Sequence, residues 1–239
     1  MPGKLSQPYQ PLLLRILHGV TGICAIAAIL TAAWTYDTYD GRFGRFFLPK
    51  LEAIEGIHGT FGLWTLLIFP VFVVYAFRRG QKRLIQPDSL QKLSQPGKPI
   101  FGYTLHRITN TLAIFALTFA LFSGKMMSEK WLPQGELNHT WYYLHLISWV
   151  VLVLAIAFHL LMAAKVGGTP LLLSIINWKF RSQDSPSLWR KNISEWKANF
   201  RLDEVFHPQN SAQIFRVLEA IILLTIILAW VISIVKELG

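Results

Sequence analysis

Seven histidines stand in the chain, and four of them, His18, His58, His145 and His159, fall inside long apolar stretches. An ionisable side chain within such a stretch is costly and asks for a reason. Apart from Arg15 at the start of the first stretch and Arg216 and Glu219 near the start of the last, these stretches hold no lysine, arginine or carboxylate in their middles. A proton or ion transporter needs carboxylates near the midplane. Imidazole without a neighbouring acid has another use, because its neutral ring nitrogen is an axial ligand for haem iron.

The spacing tests that chemistry. His145 and His159 are 14 residues apart, which on an α-helix is about 21 Å along the axis and roughly 40° from eclipsed. One helix therefore presents two ligands on one face at two depths. His18 enters the first stretch about as far as His159 stands from the end of the fourth, and His58 opens the second at the level of His145. The level pairs are His18 with His159 and His58 with His145, and two b haems, each with two histidines, use all four.

The sequences His18-Gly19-Val20-Thr21-Gly22 and His58-Gly59-Thr60-Phe61-Gly62 repeat the pattern HGxxG. Gly22 and Gly62 share a face with their histidine and would let a flat porphyrin approach the backbone; small residues also serve helix packing in membranes. His106, at the start of the third stretch, is level with the first pair and is the alternative to His159 as partner of His18. Otherwise His106 and Arg107 lie near haem propionates or a quinone headgroup. His139 and His207 read as surface residues.

The elements that must position these side chains follow from composition. Of 239 residues, 53% are hydrophobic and only 15% charged, and the mean hydropathy is +0.40. That is too little polar surface for a soluble globule. Five apolar blocks, 12–34, 57–77, 108–122, 142–164 and 214–235, mostly approach the roughly 20 residues of a membrane-spanning helix. The expected fold is an all-α integral membrane protein. Residues 1–165 form a four-helix core, 166–213 a connection with short interfacial helices at 171–180 and 188–200, and 214–239 a fifth transmembrane helix. The lone Cys24 gives no disulfide framework and reads as a packing residue.

The net charge of +10 does not point to nucleic acid, because the basic residues sit between the apolar blocks. Arg78, Arg79, Lys82, Arg83, Lys92, Lys98 and Arg107 crowd the second connection against Asp88 alone, and Lys165, Lys179, Arg181, Arg190, Lys191, Lys197 and Arg201 the fourth. The positive-inside rule then puts the N-terminus and both connections in the cytoplasm and the C-terminus outside. Basic loops of this kind also suit anionic lipid or a partner. No cleaved signal peptide is read, because Arg15 and His18 interrupt the first block. Trp34, Tyr36, Trp131, Trp141, Tyr142 and Tyr143 read as an aromatic belt at the outer ends.

On these residues the chain resembles the bacterial cytochrome b561 family and the b-type cytochrome subunits of formate dehydrogenase and Ni,Fe-hydrogenase. The resemblance runs over about residues 12–164: RILHG in the first span, IHGTFG and then FRRG in the second, LHRITNTLAIFALTFALFSG in the third, and LHLISWVVLVLAIAFHLLMAAK in the fourth. The segments GGTPLLLSIINWKFRSQ and SLWRKNISEW are similar to the region that follows the fourth span in the dehydrogenase and hydrogenase subunits. The resemblance implies two haem b groups with His18, His58, His145 and His159 as ligands. It also implies transmembrane electron transfer, quinone or quinol as an exchange partner, and a bacterial plasma membrane, or a thylakoid membrane in a photosynthetic cell. Eukaryotic cytochrome b561 places one ligand on each of four helices, a scheme that would use His106; the histidine pair on the fourth span argues against it. The fifth span departs from the four-helix members.

A quinone site among Arg15, His106, Arg107 and Lys165 is the expected exchange point. Two other readings stay open: a haem-bearing anchor subunit fed by a peripheral redox subunit, and a haem-free scaffold or transporter. The chain reads as an electron carrier or as part of a quinone-linked oxidoreductase.

Overall fold

In a computed structural model, which describes residues 8–199 and 213–238, the chain is built from helices. They are α1 (Leu12–Tyr39), α2 (Ile54–Arg78), α3 (Ser89–Leu93), α4 (Pro99–Met126), α5 (Trp131–Gln134), α6 (Thr140–Leu173), α7 (Pro186–Ala198) and α8 (Gln213–Leu238). Among the described residues, α1, α2, α4, α6 and α8 are long and apolar enough to cross a membrane. Each is apolar nearly all round, as a helix facing lipid on one side and neighbours on the other must be. His207 and the end of the predicted helix 188–200 lie outside the described residues.

Helix boundaries differ from the apolar blocks for local reasons. The third span begins at Pro99, well before Ile108, because proline at the first helical turn loses no intrahelical bond; His106 and Arg107 are thus within the helix. The fourth span runs to Leu173, where the sequence predicts a separate helix at 171–180. Gly168 breaks its regularity with φ 60° and ψ −165°, a conformation open to glycine and closed to residues with a Cβ. Pro170 follows, and beyond Leu173 helical structure gives way, so that residues 177–181 are irregular.

Packing is by pairs. α1 lies along α2 and α4 along α6, while α8 covers the seam between α2 and α4. Phe69, Val73, Phe77, Ile114 and Leu117 bury themselves in that region together with Phe215, Ile222 and Ile226 of α8. On the other side, α6 comes close to α1 at few points. Polar links stitch this open seam: Trp149 Nε1 donates to the Ile29 carbonyl at 3.0 Å, and the Tyr142 hydroxyl donates to Asp40 at 2.7 Å. Tyr142 is therefore a buried hydrogen-bonding residue rather than a member of a lipid-facing belt. Arg42 completes that end, reaching Asp40 at 2.7 Å and the Tyr143 hydroxyl at 3.1 Å. The Asp40 hydrogen bond raises the Arg42 pKa.

The fifth span is fastened at both ends. Glu219, buried in α8, accepts from Arg78 Nε of α2 at 2.8 Å. Lys236 donates to the carbonyls of Lys125, Met126 and Met127 at the end of α4. Those carbonyls lack helical partners, and a cation at a helix C-terminus also complements its dipole.

Candidate haem site

The four histidines of the apolar stretches meet in the pairs expected from their depths. His18 of α1 faces His159 of α6 with ring centroids 6.1 Å apart, and His58 of α2 faces His145 of α6 at 5.9 Å. The imidazoles reach across a seam that the backbones leave open. Two imidazoles sharing one metal ion, each through a metal–nitrogen bond of about 2 Å, have ring centres roughly 6 Å apart. Both pairs fit that requirement.

Hydrogen bonds set the tautomers. His58 Nδ1 lies 3.0 Å from the Ala28 carbonyl, which can only accept. His159 Nδ1 lies 2.8 Å from Asn110 Oδ1, and the amide orientation is fixed because Asn110 Nδ2 donates to the Arg83 carbonyl at 2.8 Å. His145 Nδ1 is 3.0 Å from Ser123 Oγ. Ser148 donates to the His145 carbonyl at 2.7 Å, and Ser123 has two other acceptors for its proton, Ser148 Oγ at 3.1 Å and the Ala120 carbonyl at 3.2 Å. Ser123 Oγ is then able to accept from Nδ1–H. In His58 and His159 the proton belongs on Nδ1 and the Nε2 lone pair is free, the arrangement that prepares a histidine to bind a metal, and the hydroxyls around His145 accommodate the same tautomer.

Space is provided as well as ligands. A cavity of about 2300 Å³ contains His58, Gly59, Gly62 and His145 in its lining, more than the roughly 300–1,000 Å³ of an ordinary small-molecule pocket. A Cβ placed on Gly19, Gly22, Gly59 or Gly62 would meet nothing within 4 Å. Close helix packing therefore does not explain the HGxxG glycines; they border open space. Gly124 is different, since a Cβ there would come within 3.1 Å of His145 Cε1. The residues present thus fit a flat, iron-bearing group at the His58–His145 pair in ligand chemistry, spacing and room. The His18–His159 pair fits in ligand chemistry and spacing, with the Phe72 and His18 rings edge to face at 5.9 Å between centroids.

The remaining candidates separate by position. His106 stands 6.1 Å from His159, so His159 has imidazole neighbours on both α1 and α4. Arg15 is 5% exposed, whereas Lys165 is exposed and Arg107 half-buried. The hydrogen bond from Lys92 lowers the Asp88 carboxyl pKa, and the Arg107 charge adds to it last and least. His139 stacks on Trp131 at 3.9 Å in the connection before α6, outside the spans.

Sequence reading missed the residues that hold the rings: Asn110, Ser123, Ser148 and the Ala28 carbonyl. Asn110 could have been found, being polar within a span and one helical turn beyond His106. It also missed Asp184, which accepts from the Leu12 backbone N–H at 2.9 Å and from the Tyr9 hydroxyl. Asp184 caps α1 in place of a local side chain, and Arg15 Nη1 donates to the Lys179 carbonyl at 3.0 Å. The segment after α6 is thereby tied to the start of α1.

Membrane-spanning helices that enclose paired, carboxylate-free imidazoles define an integral membrane b-type cytochrome. The model of the prokaryotic cytochrome b561 family matches residues 9–178, and the chain belongs to that family. It is accordingly a transmembrane electron-transfer protein of b-type haem. No curated protein and no solved structure matches the chain.

Proposed function

We propose that the protein carries two b haems, one held by His18 and His159 and one by His58 and His145, and moves single electrons between the two faces of the membrane. The observation that carries this reading is the pair of imidazole contacts at 6.1 and 5.9 Å, built from one helix that serves both. When bound, haem supplies reversible one-electron chemistry. The chain's own part is to hold each Nε2 toward the seam, keep the other ring nitrogen satisfied and exclude water with apolar walls. Along α6 the two histidines are about 21 Å apart by helix rise, which spans most of the roughly 30 Å hydrocarbon core.

The basic connections face the cytoplasm on this reading, so His18 and His159 serve the inner leaflet and the C-terminus lies outside. Quinone exchanges electrons at the inner end, where His106 and Arg107 supply polar contacts; exposed Lys165 is a weaker member, and buried Arg15 is left to the haem. The protein works in a bacterial plasma membrane, or a thylakoid membrane in a photosynthetic cell.

A dithionite-reduced minus oxidised spectrum with a pyridine haemochrome assay tests the core of this. The expected result is a b-type α-band and two haems per chain; one haem or none overturns it. His159→Ala should remove or alter one haem and leave the other. If that variant keeps both haems unchanged and His106→Ala loses one, His106 is the ligand instead. A redox subunit co-purifying in stoichiometric amount would make the chain the haem-bearing anchor of a larger complex.

A further inference from the structure

Arg15 is a buried charge without an anion on its free donors among the described residues. Only 5% of it is exposed, its Nη1 is spent on the Lys179 carbonyl at 3.0 Å, and its Nε and Nη2 have no hydrogen-bond partner among the described residues. The nearby carboxylate, Asp184, is already engaged by the Leu12 N–H and the Tyr9 hydroxyl. The Tyr9 ring lies 5.5 Å from the Arg15 guanidinium and 4.2 Å from that of Arg181. Two cations therefore flank one aromatic ring at the start of α1. A buried guanidinium with unmatched donors is expensive, and five donors in a planar fork suit a carboxylate above all. Arg15 precedes His18 by three residues, so both side chains lie on one face of α1, one turn apart.

Resting on the two-haem reading, we propose that Arg15 binds a propionate carboxylate of the haem held by His18 and His159. The unused Nε and Nη2 make the bidentate contact, and Lys179 and Asp184, by tying the later segment to α1, keep the guanidinium in place. Arg15 is thus a positioning and charge-setting residue for that haem. The reaction it serves is unaltered in kind.

The test is a redox titration of the purified holoprotein with its haem content measured alongside. Arg15→Gln should disfavour reduction of one haem at least tenfold in equilibrium constant, which for one electron is 59 mV, while the other haem is unmoved. Arg15→Lys should restore most of the difference. Potentials that stay equal in Arg15→Gln with both haems present overturn the inference and leave the two-haem reading standing; a wild-type protein without two haems removes that reading itself.

A phospholipid phosphate is the other oxyanion able to sit there. Vesicles of phosphatidylcholine alone and with phosphatidylglycerol separate the two: a potential that follows lipid charge in wild type but not in Arg15→Gln assigns the site to lipid and overturns the proposal. Should neither variant accumulate, redox-difference infrared spectra of wild type with carboxyl-labelled haem decide. A propionate paired with arginine stays ionised down into the ordinary carboxylate range, whereas one titrating near about pH 7 is buried without a counter-charge and overturns it.

Discussion

The histidine rings show how little a ligand residue settles by itself. His159 is directed by Asn110, and a buried donor that loses its partner costs about 1–3 kcal/mol. Loss of such an outer partner commonly weakens metal binding by roughly 10–100-fold. Asn110→Leu should therefore leave the chain folded but loosen or shift one haem, seen as a changed midpoint potential or sub-stoichiometric haem. An unchanged titration would deny that Asn110 orients the ring. At the other pair the constraint is steric. Gly124→Val puts side-chain atoms where a bare Cβ already lies 3.1 Å from His145 Cε1, so the ring must move and, with the proposed ligands, the change should be confined to the haem held by His58 and His145. That His18 meets His159 and His58 meets His145 was legible from the 14-residue spacing on one helix and the depths of the other two in their spans, and His106, legible at the same level, stands as near to His159. What orients them was not, since Asn110 and Ser123 belong to a different helix from the rings they hold, and only the packing of α4 on α6 brings them together.

At the scale of elements, spans were legible from hydropathy and their ends were not. Apolar blocks report where lipid is, whereas helices stop where backbone groups find other partners. Pro99 starts α4 nine residues before Ile108, and Gly168 kinks α6 where a block boundary suggested its end. The start of α1 is the clearest case. Its cap, Asp184, stands 172 residues away in sequence from the Leu12 N–H it accepts, so no local signal marks it. Asp184→Ala should cost about 1 kcal/mol, the usual loss for an N-cap carboxylate, and free the segment after α6 from α1. Limited proteolysis between α6 and α7 reads the second effect. Cleavage no faster than in wild type would mean that Asp184 does not hold the two together.

Across the whole molecule, the asymmetry of the bundle divides labour between its two sides. Lipid tails are as apolar as leucine, so a fifth helix gains little from burial alone and must be held by packing and polar contacts. α8 has both, in its Glu219–Arg78 contact at one end and Lys236 on the α4 carbonyls at the other. It stands beyond the family match, which ends at residue 178, and away from the α1–α6 seam. Yet Trp230, Ser233 and Lys236 help line the large cavity that contains His58 and His145. Removing residues 213–239 should therefore act unequally. On the proposed two-haem reading, the haem at His18 and His159 keeps its spectrum, while the one at His58 and His145 becomes more accessible to small ligands and is lost first on heating. Carbon monoxide difference spectra of the truncated protein, taken before and after mild heating, measure this. Equal loss of both haems would show that α8 supports the bundle as a whole, and no change in either would show that the cavity wall is closed without it.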